Sequence, residues 1–151
     1  MNEQQISECL KRNQIPCEPE LPEQLECYFR LLNEWNRSMD LIAELPEEEL
    51  LDRHFTDSLT VLKTGLLEDC ETLIDVGTGA GFPGMVLALA LPGLRVTLID
   101  AQQKRLHFLQ AVMEETGAGN ITILHSRAED GDAFRIFGIL LTGRQHGRLL
   151  H

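Results

Sequence analysis

The sequence predicts an α/β fold: two or three helices, then a parallel sheet whose strands alternate with helices. Three observations predict it. Up to Gly65 apolar residues recur every three or four positions, and after it they gather into short runs separated by helical stripes. Directly behind the first of these runs lies a cluster of glycines, in LIDVGTGAGFPG at residues 73–84. The later runs return at the spacing of βαβ units, whose right-handed crossovers lay consecutive strands side by side in parallel.

Each element has its own signal. Residues 3–13 form a weakly amphipathic helix that stops before Asn13-Gln14-Ile15-Pro16. The second helix follows Pro22, with Leu25, Phe29, Leu32, Trp35 and Met39 on one stripe. The third begins at Pro46, which suits a first helical position, and Glu47, Glu48 and Glu49 favour the positive end of its dipole. Its stripe is Leu50/Leu51, His54/Phe55, Leu59 and Leu62, and Gly65 stops it. Residues 72–76 read as a buried strand, 83–91 as a helix that Pro83 opens and Pro92-Gly93 closes, and 95–100 as a second strand. Residues 104–115 form a helix ended by Gly117, 121–124 a third strand, and 137–142 a candidate fourth. The expectation is a Rossmann-like sheet of about four parallel strands, incomplete for a doubly wound fold, preceded by an N-terminal helical segment. The divisions are 1–65 helical, 66–144 sheet domain, and 145–151 a tail with neither strand alternation nor a helical stripe. An incomplete sheet leaves an open edge, where self-association with a second chain is expected.

Bulk properties narrow the function. At 151 residues with 43% hydrophobic content the chain suits one domain, or a small domain with an appendage. Its longest apolar run, residues 85–91, is far short of the ~20 needed to span a bilayer, so no membrane association is expected. The N-terminus has no basic and apolar leader, and the four cysteines (9, 17, 27 and 70) have no C-x-x-C spacing. Free thiols and a cytoplasmic location follow. The five histidines show no ligand spacing, and no metal site is expected. The net charge of −11 is uneven: residues 1–70 hold 16 acids against 6 Lys/Arg, and residues 71–151 hold 8 against 7. Taken alone, this balance argues against a nucleic-acid partner. Only Lys104, Arg105, Arg127, Arg135, Arg144 and Arg148 offer a local basic patch.

Gly79-Ala80-Gly81-Phe82-Pro83-Gly84 spells the dinucleotide fingerprint G-x-G-x-x-G between a strand and a helix. Asp75, two residues before Gly77, sets a carboxylate at the mouth of that strand. It suits a cationic ligand such as S-adenosylmethionine better than a pyrophosphate, which seeks the bare amides of a helix N-terminus. Asp100 ends the second strand and can accept ribose hydroxyls in either kind of site. The reading favours adenosylmethionine and keeps an NAD-dependent oxidoreductase as its rival. Plainer roles stay open: Asp75 capping the turn, and Asp100 capping the next helix.

The run IDVGTGAGFPG, with LID and KRLHFL after it, resembles the glucose-inhibited division protein B family of small-subunit ribosomal RNA guanine-N7 methyltransferases. LLNEWNRSMDLIA is similar to that family's L-x-x-W-N-x-x-x-N-L-T segment, RHFTDSL to its R-H-x-x-D-S block, and HSRAED to its S-R-x-E-[ED] stretch. GILLTGR is similar to the segment that ends in T/S-x-R-A. The resemblance runs from about residue 20 to Arg144. It implies a class I methyltransferase fold and S-adenosylmethionine as cofactor, with methyl transfer to N7 of a guanine in 16S rRNA of the small ribosomal subunit. Carried over by position, cofactor contacts fall on Gly77, Phe82, Asp100, Ala128, Glu129 and Arg144, beside Asp75, Gly79 and Gly81 of the motif. The chain departs from the family at Gly138, where the family has an acid, and from Gln145 onward. A truncated, inactive cofactor-binding remnant is therefore the competing expectation. His54 is expected either buried and hydrogen-bonded or touching cofactor or RNA, Trp35 either in the core or stacking a base, and Arg53 and Asp57 on one helix face. Lys104 and Arg105 open a helix, where the dipole disfavours cations, which leaves an outward, anion-facing role open to them.

Overall fold

The computed structural model describes residues 2–42, 47–126, 138–143 and 147–150, and of these only the backbone at 47, 48, 50, 51, 138–143 and 147–150. Three helices come first. α1 (Glu3–Arg12) is started by a reciprocal cap: the Gln5 amide donates to Asn2 Oδ1 (2.9 Å) and the Asn2 amide to Gln5 Oε1 (2.8 Å). Its Ile6, Cys9 and Leu10 form a buried face that packs on α2 (Leu21–Met39). Pro22 sits in the first turn of α2, where its missing N–H costs nothing. α2 buries Leu25, Tyr28, Phe29 and Leu32, with Trp35 and Met39 partly covered. α3 (Glu47–Lys63) buries Phe55, Ser58 and Leu59 and stops short of Gly65 at φ +73°.

The sheet follows: β1 (Cys70–Val76), α4 (Gly84–Ala90), β2 (Arg95–Asp100), α5 (Gln103–Thr116), β3 (Ile121–His125), β4 (Gly138–Gly143) and β5 (Gly147–Leu150). The spatial order is β3-β2-β1-β4-β5. β1, β2 and β3 are parallel, in register from Thr72 opposite Arg95 and from Val96 opposite Ile121. Two successive crossovers of one hand put α4 and α5 on the same face, and α2 packs over both. All seven residues of α4 are buried, which is why that helix is apolar all round. Asn120, just ahead of β3, donates its side-chain amide to the Ala88, Leu91 and Leu94 carbonyls (2.9, 3.1 and 2.7 Å). One side chain thereby ties the end of α4 and the turn before β2 to the start of β3.

Period-two burial decides where the strand acids go. Leu73 and Asp75 of β1, and Val96, Leu98 and Asp100 of β2, are buried, while the residues between them are half-exposed. Both acids therefore lie on the face covered by α4.

Three expectations are corrected. β4 pairs with β1 antiparallel, Val76 opposite Gly138, so the parallel part of the sheet has three strands. A parallel return would have to carry the chain back to the far edge of the sheet, a crossover of a dozen or more residues, usually through a helix. The twelve residues 126–137 between β3 and β4 are the bare minimum for such a crossover, and they carry no helical stripe. Entering from the near edge, β4 runs against β1. The tail contributes a strand as well: residues 144–146 link β4 to β5, and β5 pairs antiparallel with β4, Leu140 opposite Leu149. Finally, α4 begins one residue later than its proline suggests, with Pro83 as N-cap behind a cis Phe82–Pro83 bond.

Candidate functional site

The turn joining β1 to α4 is left-handed at all three of its glycines, with φ of +72° at Gly77, +60° at Gly79 and +99° at Gly81. Side-chain-bearing residues resist that conformation, so the spacing of the glycines sets the path. The Gly77 and Thr78 amides both donate to the Ile99 carbonyl at the end of β2 (2.9 and 3.0 Å). The Gly81 amide donates to the Thr78 carbonyl (3.0 Å).

The two buried carboxylates hold the rest. Asp75 is 4% exposed, and its Oδ2 accepts from the Thr78 hydroxyl (2.8 Å) and from the Gly84 amide at the head of α4 (3.0 Å). Burial pushes its carboxyl up to about 6; the two hydrogen bonds pull the other way, and the charge of Asp100 adds to the rise. Asp100, 5% exposed, accepts from the Gly79 amide at Oδ2 (2.9 Å) and from the Gln102 amide at Oδ1 (2.9 Å). The Arg105 guanidinium stands 3.6 Å from Oδ1. Each carboxylate oxygen has two lone pairs, so neither oxygen of Asp100 is saturated by its one amide.

Space is distributed unequally around the turn. A methyl group at Gly81 would meet Met85 Cβ at 2.8 Å and Leu109 Cδ2 at 2.9 Å, and one at Gly84 would meet Leu98 Cδ2 at 2.5 Å and Asp75 Oδ2 at 2.6 Å. At Gly79 nothing lies within 4 Å. The inner glycines permit close packing, and Gly79 faces open space beside Asp100. An uncharged backbone ridge with room beside a carboxylate fits a ribose carrying a cationic tail.

The helical segment forms the wall behind the turn. The hydroxyl of the fully buried Tyr28 donates to the Ala80 carbonyl (2.6 Å), and its ring lies against Phe29, Phe82 and Phe108. From α3, His54 stacks on Phe82, with ring centres 4.9 Å apart and planes at 24°. Partial burial lowers the imidazole from its ordinary range, with Asp57 raising it and Arg53 lowering it.

The structure brings Asp75, Gly77, Gly79, Gly81, Phe82 and Asp100 together at the carboxyl ends of β1 and β2. Ala128, Glu129 and Arg144 lie outside the described residues. Asp75 does cap the turn, through Thr78 and Gly84, and Asp100 bonds the amide two residues on. His54 is half-buried on the turn's aromatic ring, and Trp35 packs edge-on against Phe108. Arg53 and Asp57 are both exposed. Lys104 is exposed and Arg105 half-buried, and both find partners within the chain: Lys104 Nζ donates to the Met39 carbonyl at the end of α2 (3.0 Å), where a cation suits the dipole, and Arg105 faces Asp100. Sequence reasoning missed Tyr28, Thr78 and Asn120. The chain's single tyrosine beside an apolar stripe was the available signal, because a buried phenol seeks an acceptor. Among the described residues no group of three or more His, Cys, Asp or Glu is placed to hold a metal. A groove of ≈ 440 Å³ near Cys70, Leu91 and Leu94 lies at the amino ends of β1 and β2 and includes none of the turn's residues.

Comparison with known proteins bears on this site. A family model described as GidB, rRNA small subunit methyltransferase G, matches residues 21–142. The ribosomal RNA small subunit methyltransferase G of Clostridium beijerinckii is 47% identical over 104 residues, covering 69% of this chain and 44% of that protein. Its namesake in a Thermoanaerobacter species is 45% identical over 108 residues, covering 72% and 45%. That of Alkaliphilus oremlandii is 46% identical over 107 residues, covering 71% and 45%. The chain thus spans somewhat under half the length of these curated relatives.

Proposed function

The chain belongs to the GidB family, rRNA small subunit methyltransferase G, and on that premise we propose that its glycine turn binds S-adenosylmethionine for methyl transfer to N7 of a guanine in 16S rRNA. One observation carries the reading: two buried carboxylates, Asp75 and Asp100, bracket a left-handed glycine turn that has open space beside Gly79. Asp100 would accept the ribose hydroxyls on its remaining lone pairs. Gly77, Gly79 and Gly81 would bring the backbone against the ligand, and Phe82 would close one side. Asp75 would act from below, as the negative charge that a cationic ligand favours and as the fastener of the turn. Ala128 and Glu129 would lie beside the adenine, and Arg144 would orient the cofactor or an RNA phosphate.

When bound, the cofactor supplies an activated methyl group on a sulfonium. Guanine N7 carries an in-plane lone pair and needs no deprotonation, so the protein's task is alignment, with reacting atoms held about 3–3.5 Å apart. No side chain need serve as nucleophile or strong base. Among the described residues no helix is long and apolar enough to cross a membrane, and a cytoplasmic protein working on ribosomal RNA is the consistent reading.

Parallel calorimetric titrations with adenosylhomocysteine and NADH test the cofactor. Binding of the first alone is expected, and binding of NADH alone would replace this reading with an oxidoreductase. Tritium transfer from labelled adenosylmethionine to small-subunit RNA then tests whether this length of chain suffices for the reaction. Sedimentation velocity across a concentration series reports whether the edge strands β3 and β5 pair with a second chain, as an open sheet edge invites.

A further inference from the structure

We propose that Tyr28, on α2, is a positioning residue for the cofactor turn: its hydroxyl locks the Ala80–Gly81 peptide plane and so sets the backbone path that the turn offers the ligand. The inference rests on the cofactor reading above and goes beyond it, because Tyr28 lies in the helical segment, 52 residues from the atom it holds.

The argument begins with what the turn lacks. Gly79 and Gly81 flank Ala80, both in left-handed backbone, at φ +60° and +99°. Glycine occupies φ of either sign at little cost, so local sequence leaves the peptide plane between them free to turn over. Two hydrogen bonds prevent this from opposite sides of the plane. The Gly81 amide donates inward to the Thr78 carbonyl at 3.0 Å, and the Ala80 carbonyl accepts from Tyr28 at 2.6 Å. The first is local and would break together with the turn. The second comes from an anchored ring, fully buried and packed on Phe29, Phe82 and Phe108.

The fit behind the turn is close. A methyl group at Gly81 would stand 3.0 Å from the Tyr28 hydroxyl, so the phenol occupies the space that glycine leaves. Two planes upstream, the Thr78–Gly79 peptide is held by Asp100, whose Oδ2 accepts from the Gly79 amide at 2.9 Å. Asp100 and Tyr28 therefore grip the peptides on either side of the Gly79–Ala80 peptide. The helical segment serves here as the template against which the glycine turn is shaped.

Tyr28→Phe removes the hydroxyl and keeps the ring and its packing. Ile6→Val, a buried change in α1 away from the turn, serves as the control for a general loss of stability. Affinity for adenosylhomocysteine is expected to fall about tenfold in Y28F, the scale of one lost buried hydrogen bond, and to stay at the parent's value in I6V. Without ligand, amide hydrogen exchange at residues 79–82 is expected to quicken in Y28F relative to the parent and not in I6V. Parental affinity and parental exchange in Y28F, or equal changes in both variants, overturn the role of Tyr28. If the parent chain binds no adenosylhomocysteine, the cofactor reading fails and the proposal falls with it; faster exchange in Y28F would then mark a purely structural lock.

Discussion

Asp75 shows how burial turns a carboxylate into a pH-dependent element. Its folded pKa of about 6 lies above the ordinary 3.8, so between those values the native state holds a proton that the unfolded chain releases. The stability this group contributes is full below about pH 4, declines as pH rises to 6, and stays lost above it. Asp75→Asn keeps an acceptor for Thr78 and Gly84 without the buried charge. Relative to the parent it should gain as pH rises from 4 to 7, by ~3 kcal/mol at most, in urea unfolding at several pH values. A pH-independent difference would remove burial of the charge as the cause. The glycines separate two kinds of damage. Gly84→Ala forces a methyl against Leu98 and Asp75 and should cost about 1–3 kcal/mol of stability through overpacking. Gly79→Ala meets no protein atom within 4 Å but carries φ +60°, a strain of roughly 1–2 kcal/mol. Its methyl projects where the ligand is placed, so calorimetry should find adenosylhomocysteine binding lost more completely than denaturation finds stability lost.

At the scale of elements, the crossovers are tied together by polar side chains at their ends. Asn120 joins the end of α4, the turn before β2 and the start of β3 with one amide group. Asn120→Ala strips three carbonyls of a donor in a half-buried position. It should cost about 1–3 kcal/mol in chemical denaturation with little change in the slope, since the same surface is exposed on unfolding. At the other edge of the sheet α2 reaches α5 through Lys104 and the Met39 carbonyl. These links give each cation at the head of α5 a partner within the chain: α2 supplies a carbonyl for one and Asp100 a carboxylate for the other.

Over the whole molecule, the helical segment and the sheet share one site. α2 contributes Tyr28, α3 contributes His54, and both meet the turn at Phe82. A ligand seated on that turn should therefore stabilise both parts in one transition. At a hundredfold excess over Kd, adenosylhomocysteine should add about 2.7 kcal/mol. The chain's single tryptophan, Trp35 against Phe108, makes this checkable. Its fluorescence and the far-ultraviolet dichroism should shift to higher denaturant together; separate shifts would show two independently unfolding parts. The net charge does not bear against the proposed RNA partner. A balance of −11 sums the whole chain, whereas an RNA-facing surface needs cations only where phosphates approach.

The sequence by itself determined the five helices, the first three strands and the glycine turn between β1 and α4, because each is written in local chemistry. Apolar period separates helix from strand, Gly65 and Gly117 end α3 and α5, and three alternating glycines leave a turn that few other residues could follow. It placed Asp75 and Asp100 correctly at strand ends, and their period-two phase with Leu73 and Leu98 already implied burial. What it could not decide was non-local. The direction of β4, the recruitment of the tail as β5, the bond from Lys104 to Met39, and the hold of Tyr28 on Ala80 all depend on which groups meet across long stretches of chain. Those meetings are selected by burial and by the need of each buried polar group for a partner, and only the assembled fold supplies both.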